Sequence, residues 1–243
     1  MKRLALLLAL LAGPAPTTPA LAAPAACGVP DDLALTNLAL PAARAAAATG
    51  KLTILTVGGA ASAGLAAQGA QYAYPVRLAV HLHAALPKLG VTVLSRAAAR
   101  RTAATSVANF DADLAQTGAR LVIWAPGAIE AGSGTDIDAL VAFIAQGVAK
   151  IRAAGADPVL IDLQYAPSIA RVINLQPYRE AVQRAGARDD VPVLDRYELM
   201  RRWSADGVLD LDVTDPEARI QVARHLFDCL AAIMADGIAG ALR

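Results

Sequence analysis

Residues 52–64 read Leu-Thr-Ile-Leu-Thr-Val-Gly-Gly-Ala-Ala-Ser-Ala-Gly. The first six residues are apolar or β-branched, which is typical of a buried strand, and the two glycines that follow permit a tight turn. The small residues after the turn predict the start of a helix. A strand, a glycine turn and a helix in this order form the opening of a βα unit.

The rest of the chain repeats this alternation. Short apolar runs predict strands at Leu52–Val57, Val91–Leu94, Leu121–Ala125, Pro158–Asp162 and Val191–Leu194. Longer segments with helical patterns predict helices at Tyr74–Leu86, Thr102–Gln116, Asp136–Ala154, Pro177–Gly186 and Pro216–Ala235. Alternation at these lengths predicts an α/β fold, a parallel sheet with helices on both faces. We expect one such domain over residues 51–243.

The first 22 residues have the features of a cleaved signal peptide. Lys2-Arg3 precede an apolar run (residues 4–13), and Ala-Leu-Ala at residues 20–22 is a small-residue cleavage site. The run is too short to span a bilayer, which needs about 20 residues, and the prolines after it oppose a buried N-terminal helix. We expect an exported protein, periplasmic or secreted, with residues 23–50 as a Pro/Ala-rich arm on the domain surface.

The balance of charge gives no indication of a polyanionic partner. The chain has 22 basic and 21 acidic side chains and a formal net charge of +1, whereas nucleic-acid binding needs a concentrated basic surface. Paired arginines such as Arg100-Arg101 are expected on solvated helix faces. After the leader, no uninterrupted apolar stretch is long enough for a membrane span. We therefore expect no nucleic acid partner and no stable membrane span.

The sequence contains two cysteines, Cys27 and Cys229. An even number of cysteines in an exported chain favours a disulfide. Such a bridge would attach the arm to the last helix and close a loop of about 200 residues, for which the chain-entropy model gives an upper value of about 5 kcal/mol. Two unpaired buried thiols are the alternative.

Ligands of open parallel sheets bind beyond the carboxyl ends of the strands. Functional residues are therefore expected in the segments after the first three strands and in the loop before the last helix. These segments resemble the four sequence blocks of the SGNH/GDSL hydrolase family. The resemblance covers residues 27–235 and is carried by Cys27–Leu33, Leu52–Gly64, Tyr74–Leu78, Val91–Arg96, Leu121–Gly127, Asp162–Pro167 and Val208–Ala232.

The combination of the glycine-turn strand with Asp162-Leu163-Gln164-Tyr165-Ala166-Pro167 is fairly specific, whereas each block alone is a weak signal. The resemblance implies a three-layer α/β/α sandwich of the flavodoxin-like type. Its five-stranded parallel sheet would have the order 2-1-3-4-5. The activity that the resemblance implies is hydrolysis of acyl esters.

At the positions that carry catalysis in that family, this sequence lacks the required side chains. The nucleophilic serine falls on Ala60, the oxyanion-hole glycine near Ala97 and the oxyanion-hole asparagine on Ile129. The closing Asp-x-x-His motif falls on Leu209 and Asp212. Alanine has no oxygen with which to form an acyl-enzyme, and isoleucine offers no hydrogen-bond donor. The resemblance thus implies the architecture of a hydrolase without the side chains that hydrolysis needs.

A rebuilt site would need a new nucleophile and a new base. Ser62 is the fallback nucleophile, although we expect it to cap the following helix or to bond the turn backbone. The histidines His81 and His225 fall within predicted helices, away from the strand ends, and are interpreted as structural or surface residues.

Carboxylates near the carboxyl ends of the strands are the other candidates for a rebuilt site. Six of them follow the third strand or precede the last helix: Glu130, Asp136, Asp138, Asp210, Asp212 and Asp215. Paired carboxylates could act as acid and base or hold a hard cation. We expect instead that Asp136 and Asp215 cap helices and that Asp210 and Asp212 are solvated loop charges. The cysteines and histidines have no zinc spacing, and we expect no metal and no cofactor.

Three hypotheses of function remain. The first is a catalytically degenerate, exported family member whose cleft binds an acylated glycan or another small molecule of the cell envelope. The second is an active acyl or acetyl esterase with a relocated nucleophile such as Ser62, which needs a base about 2.6–3.2 Å from the Ser62 Oγ atom. The third is a purely structural role, for which large side chains such as Ile129 and Trp124 would fill the old cleft.

Overall fold

The computed structural model describes residues 27–36 and 38–243. The predicted signal peptide (residues 1–22) and the first residues of the predicted arm lie outside the described residues. Within the described part of the chain, strands and helices alternate as the sequence predicts.

Five strands form one sheet in the described residues: β1 (Lys51–Gly58), β2 (Gly90–Ala97), β3 (Leu121–Trp124), β4 (Asp157–Ile161) and β5 (Val193–Leu194). All neighbouring strands are parallel, and the order across the sheet is β2-β1-β3-β4-β5. The predicted fold class and strand order are confirmed. β5 is shorter than predicted, because Pro192 has no N–H and contributes only its carbonyl, which accepts from Leu160 N (2.9 Å).

The described residues contain nine α-helices: α1 (Pro41–Ala48), α2 (Tyr74–Ala85), α3 (Ala103–Thr117), α4 (Ala128–Ser133), α5 (Ile137–Ala153), α6 (Pro167–Ala170), α7 (Gln176–Asp189), α8 (Arg196–Ala205) and α9 (Pro216–Leu242). The five predicted helices correspond to α2, α3, α5, α7 and α9. The predicted helices do not include α1, α4, α6 and α8, and α1 lies inside the predicted arm. This alanine-rich helix buries Ala43, whose N–H donates to Asp157 Oδ2 (2.8 Å).

Both faces of the sheet are covered, which gives three layers. Successive residues of a strand point to opposite faces. In β1, Ile54 belongs to the core under α1, α2, α8 and α9, and Leu55 belongs to the core under α3, α5 and α7. Ile123 and Trp124 of β3 divide in the same way. Burial on both faces explains the near-continuous apolar strands of the sequence.

The N-terminal arm is fastened to α8 and α9. Cys27 and Cys229 form the predicted disulfide, with their Cα atoms 5.6 Å apart. Trp203 Nε1 of α8 also donates to the carbonyl of Gly28 (2.7 Å). A covalent bond and a hydrogen bond from two different helices therefore hold the first described residues of the chain.

A polar contact joins α2 to α9. Asp228 of α9 accepts from Arg77 Nε (2.5 Å), and it lies 2.9 Å from His81 Nε2. Burial alone would raise the pKa of Asp228, but the hydrogen bonds from Arg77 and His81 outweigh this effect and hold the pKa below its usual value. His81 therefore has a structural contact, in keeping with its interpretation from the sequence.

One helix of the described residues, α9, is long and apolar enough by length and composition to cross a bilayer. In this fold, 72% of its most apolar stretch is buried. The apolar side chains of α9 cover one face of the sheet, as those of a core helix do.

Replacing both cysteines (Cys27→Ala and Cys229→Ala) should lower the free energy of unfolding by about 2–5 kcal/mol, because the bridge restricts the unfolded chain across a separation of 202 residues. Urea denaturation with and without a thiol reductant measures the change. Reductant should lower the midpoint of the unaltered protein and leave that of the double variant unchanged. Equal midpoints of the two proteins in oxidising buffer would contradict the prediction.

Asp228→Asn should lower the free energy of unfolding at pH 7 by about 1–3 kcal/mol, since the substitution weakens charged hydrogen bonds at a buried site. A carboxyl group whose pKa is lowered in the folded state stabilises it above the unfolded pKa, about 4, and this contribution disappears as the pH falls. The difference between the two proteins should therefore shrink at pH 3.

Asp111→Asn is the matched control, because the Asp111 carboxylate is 71% exposed and pairs with Lys150 at the surface. This substitution should change the free energy of unfolding by less than about 1 kcal/mol. Urea denaturation of the three proteins at both pH values provides the measurement. An Asp228→Asn effect of equal size at pH 7 and pH 3 would show that the contact does not depend on the carboxylate charge.

Candidate functional site

A cleft lies beyond the carboxyl ends of β1, β3 and β4, where parallel sheets place their ligands. Its volume is about 230 Å³. The turn after β1 (residues 59–62), Ile129 of α4, Leu163 after β4, apolar side chains of residues 169–175 and Arg196 of α8 line it. Small and apolar side chains therefore make up most of the walls.

A larger groove of about 610 Å³ lies at the opposite end of the sheet, between the ends of α1 and α2 and the last residues of α9. The strands begin at that end, so the loops that follow the strands do not reach it. We therefore take the smaller cleft as the candidate functional site.

The chain does not enter an α-helix directly after the glycine turn, and this part of the prediction is wrong. Residues 59–64 form turns, and two 3₁₀ turns (Leu65–Ala67 and Ala70–Tyr72) precede α2. Gly64 takes a left-handed conformation (φ +71°), and a Cβ there would lie 2.6 Å from the Cβ of Ala73. The turn leaves Ala60 exposed on the wall of the cleft.

The two predicted oxyanion-hole positions, Ala97 and Ile129, have different surroundings in the structure. Ala97 ends β2, and its N–H donates to Ser95 Oγ (3.2 Å), so that donor is already used within the strand. Ile129 lies on α4 and contributes an apolar wall to the cleft. Neither position directs a side-chain donor into the cleft.

The two positions of the Asp-x-x-His motif lie apart from the cleft lining. Leu209 is only 3% exposed and belongs to the hydrophobic core, with its N–H 3.1 Å from the carbonyl oxygen of Trp203. Asp212 is exposed and pairs with Arg171 (3.1 Å). A core leucine and a surface ion pair therefore occupy the two positions that the resemblance assigns to the orienting aspartate and the base.

All three histidines of the chain have contacts away from the cleft. His81 contacts Asp228, His83 Nε2 lies 2.9 Å from the carbonyl oxygen of Val91, and His225 Nε2 lies 3.9 Å from Cys27 Sγ. None of them is among the described residues that line the cleft.

The carboxylates at this rim have structural roles. Asp136 Oδ1 accepts from Ala139 N (2.9 Å), and Asp215 Oδ1 accepts from Ala218 N (2.8 Å), so both are the helix caps that the sequence predicts. Asp138 lies in the first turn of α5. Asp210 Oδ1 accepts from the backbone N–H of Asp212 (3.1 Å).

Glu130 has a role that the sequence analysis does not predict. This buried carboxylate accepts from Ala103 N (2.6 Å) at the start of α3 and from Gly127 N (3.1 Å) at the start of α4. It therefore ties together two helix N-termini next to the cleft, and both of its oxygens are engaged.

One group of possible metal ligands occurs among the described residues. Side-chain ligand atoms of Cys27, Cys229 and His225 all lie within 4.8 Å of one another. Cysteine binds zinc as the thiolate, and here the two sulfur atoms are bonded to each other. The donor set present in this structure therefore does not fit a metal.

Ser62 lies at the floor of the cleft and is 1% exposed. Its Oγ has no hydrogen-bond partner among the described residues, so the expectation that it caps a helix or bonds the turn backbone is wrong. The oxygen instead packs against Gly58, where a Cβ would lie 2.3 Å from it. Ser62 therefore occupies the space that the glycine leaves.

Tyr74 is buried beside Ser62. Burial raises the pKa of the Tyr74 phenol to about 12, against smaller lowering effects of the Arg196 charge and of the Ser62 and Thr56 hydroxyls. The Tyr74 hydroxyl also has no hydrogen-bond partner among the described residues. The phenol therefore keeps its proton at neutral pH.

Arg196 is a third buried polar residue in this part of the structure, after Ser62 and Tyr74. It is the first residue of α8, it is 5% exposed, and it is the one charged residue among those that line the cleft. Its Nη2 donates to the backbone carbonyl of Asp162 (2.6 Å), and its Nε has no acceptor. Burial lowers the pKa of the guanidinium, against the opposing effect of the Asp162 carboxylate.

The segment around Asp162 holds Arg196 in place. The Asp162 carboxylate is fully buried and accepts from Tyr197 N (2.9 Å), Gln183 Nε2 (3.1 Å) and Arg179 Nε (3.3 Å). Burial, and then the nearby Asp195 carboxylate, raise the pKa of Asp162 to about 7. The main chain and the side chain of one residue thus fix both Arg196 and the start of α8.

Asp162 belongs to the family resemblance, but no motif in the sequence assigns a role to Tyr74 or Arg196. The one available signal is positional, since Arg196 lies two residues after the last strand. The contacts between Asp162 and Arg196 span 34 residues, and no local pattern in the sequence predicts them.

The chain belongs to the non-GDSL lipase-like family, whose model matches residues 26–243. No curated protein sequence matches it significantly. The described cleft is therefore the strand-end site of a lipase-like fold, with Ala60 and Ile129 in its lining.

Several solved structures share the fold. TesA is 20% identical, with a TM-score of 0.57 over 74% of this chain and 99% of its own. The acetylxylan esterase Axe2 of Geobacillus stearothermophilus is 15% identical, with a TM-score of 0.59 over 76% and 93% of the two chains. Esterase EstA of Pseudoalteromonas sp. is 17% identical, with a TM-score of 0.56 over 73% and 96%. At these identities the comparisons establish the three-layer fold.

Gly58→Ala should lower the free energy of unfolding by about 1–3 kcal/mol, because the new Cβ would lie 2.3 Å from Ser62 Oγ and 3.3 Å from the Cβ of Ala125. Adding Ser62→Ala should recover part of that loss by removing the closest atom. Gly59→Ala is the control, since a Cβ at Gly59 meets nothing within 4 Å. Chemical denaturation of these four proteins and of the Ser62→Ala single variant measures these effects, and strictly additive changes for Gly58 and Ser62 would contradict the packing described.

Proposed function

We propose that this chain is a non-catalytic member of its family, exported to the cell envelope, and that its strand-end cleft binds a small acyl-bearing molecule. The observation that carries the proposal is an open cleft of about 230 Å³ with Ala60 and Ile129 on its walls. Alanine and isoleucine stand where the family resemblance calls for the nucleophile and the oxyanion-hole donor. A cleft that retains its space without these groups is suited to binding.

Replacing the side chains at these positions is expected to lower the rate of ester hydrolysis by many orders of magnitude. Removing the nucleophile of a serine hydrolase lowers the rate by about 10⁶-fold, and removing one oxyanion-hole donor lowers it by about 10²–10³-fold. Two further Axe2 structures are catalytic mutants, one with a serine and one with a histidine replaced by alanine. The present chain has alanine at the corresponding nucleophile position of the resemblance and places no histidine in the cleft lining.

The alternative function is an ester hydrolase with Ser62 as a relocated nucleophile. It requires a base within hydrogen-bonding distance of Ser62 Oγ, and that atom has no partner among the described residues. The neighbouring ionisable groups are the Tyr74 phenol, which keeps its proton, and the Arg196 guanidinium, which is a cation. Neither can take a proton from Ser62 at neutral pH, so the geometry favours the binding function.

A purely structural role predicts a filled cleft. Trp124 packs edge-on against Phe110 (ring centroids 5.1 Å apart) in the core under α3 and α5, and Ile129 lines the cleft without closing it. The open cleft therefore counts against a purely structural role.

An acylated glycan or a related small molecule of the envelope is the ligand class that we propose. The predicted signal peptide and the disulfide support a location in an oxidising compartment. Axe2, which shares the fold, acts on acetylxylan, an acylated glycan. The apolar walls of the cleft fit the acyl part of such a molecule.

Hydrolysis of p-nitrophenyl acetate and butyrate by the purified chain tests the proposal. We expect rates at the level of the buffer blank for both the unaltered protein and the Ser62→Ala variant. A variant with Ala60→Ser and Ile129→Asn puts a hydroxyl and an amide on the cleft wall and leaves Leu209 and Asp212 in place, since neither lines the cleft. It should hydrolyse the esters faster than a matched variant with the serine one residue later, at Ala61.

The decisive comparison is between the unaltered protein and Ser62→Ala. Ester hydrolysis by the unaltered protein that is lost in Ser62→Ala would overturn the proposal and establish the relocated nucleophile. Blank-level rates in both proteins, measured with folded protein by circular dichroism, support a non-catalytic cleft.

A further inference from the structure

Three buried side-chain atoms of the described residues lack a hydrogen-bond partner: Ser62 Oγ, Tyr74 Oη and Arg196 Nε. Ser62 and Arg196 both line the cleft. The Tyr74 phenol lies near both of them, since the Arg196 charge and the Ser62 hydroxyl both lower its pKa, so the three groups belong to one cluster. Buried polar groups in folded proteins are nearly always paired, so unpaired ones call for a missing water, ion or ligand. The two that line the cleft, Ser62 and Arg196, define a polar subsite, and Tyr74 is buried next to Ser62.

The subsite has an excess of donors and of positive charge. Arg196 has only N–H donors and no acceptor. The hydrogen bond that its Nη2 makes goes to a neutral carbonyl, whereas the Asp162 carboxylate accepts from Tyr197, Gln183 and Arg179. A buried cation without a directly bonded anion is costly, and an anionic ligand would remove this cost.

We propose that the floor of the cleft binds the carboxylate of a short aliphatic acid, with Arg196 and Ser62 as the donor side chains and the apolar walls around its alkyl chain. This inference rests on the proposed function, since it names the chemistry that the binding cleft recognises. Tyr74 is buried next to Ser62 and is not among the residues that line the cleft. Arg196 and Ser62 are the binding residues.

The composition of the walls separates an acid with an alkyl chain from an inorganic anion. Ile129, Leu163, Ile169, Ile173 and Leu175 all line the cleft, and an apolar wall gives a small inorganic anion no favourable contact. An alkyl chain that leaves water for this wall gains about fourfold in affinity per buried CH₂ group. The carboxylate and the chain are thus recognised by different parts of one site.

The volume limits the length of the acid. Sites for drug-sized ligands usually measure about 300–1,000 Å³, and this cleft measures about 230 Å³. A short chain is therefore expected, and hexanoate is a suitable probe. 1-Hexanol has the same chain without the charge and is the matched neutral ligand.

Isothermal titration calorimetry of the purified chain with hexanoate and 1-hexanol tests this inference. We expect hexanoate to bind at least tenfold more tightly than 1-hexanol. Arg196→Gln should weaken hexanoate binding roughly ten- to a hundredfold, the range for losing a hydrogen bond to a charged group, and should leave hexanol binding within twofold. Ser62→Ala should weaken hexanoate binding roughly three- to tenfold.

Arg201→Gln is the control for overall charge, because Arg201 lies on the same helix, is exposed and bonds Glu198. It should leave hexanoate binding unchanged within twofold. Circular dichroism shows whether Arg196→Gln folds. If it does not fold, the preference of the unaltered protein for hexanoate and its reduction in Ser62→Ala decide the question.

The outcomes separate the two proposals. Equal or tighter binding of 1-hexanol, or hexanoate binding that Ser62→Ala and Arg196→Gln do not weaken, overturns the carboxylate site and leaves the binding cleft standing. Binding of neither ligand overturns the carboxylate site as well. Ser62-dependent ester hydrolysis overturns the non-catalytic function by itself, since hexanoate would then bind as a product.

Discussion

A parallel sheet is stable in water only when helices cover both of its faces, and this constraint organises the chain. α3, α5 and α7 cover one face, and α1, α2, α8 and α9 cover the other. α9 supplies the largest apolar surface of its layer, so its position has to be fixed. The hydrogen bonds of Asp228 to α2 and the disulfide to the arm fix it from two sides.

The cleft follows from the order of the strands. After β2 the chain returns to the other side of β1, so the connections of β1 and β3 leave the sheet in opposite directions and a crevice opens between them. Ala60 and Ile129 lie on the two sides of this crevice. Its existence depends on core packing and strand order and does not depend on a catalytic side chain, so the chemistry can be lost while the space remains.

The sequence predicts the scaffold because the signals for it are local. Apolar runs mark the strands, and Asp136 and Asp215 mark the starts of two helices by short-range capping. α1 is not predicted because an alanine-rich segment has no apolar stripe. α8 is not predicted because its arginines obscure the pattern of a buried face, which consists of Leu199, Met200 and Trp203.

The floor of the cleft could not be predicted in the same way. A serine after a turn is ordinarily a cap or a turn-former, and nothing near Ser62 in the sequence shows that Gly58 makes room for it. Arg196 resembles any surface arginine at a helix start until the fold brings the Asp162 carbonyl against it. Such contacts arise only when distant segments are packed together.

The bond between Cys27 and Cys229 also sets an order of events during biosynthesis. Cys27 leaves the ribosome 202 residues before its partner in α9, so oxidation must wait until that helix has been made. With two cysteines in the sequence, no incorrect intramolecular pairing exists. The oxidative error open to this protein is a covalent link between two copies, and the delay before α9 emerges is the period in which it can form.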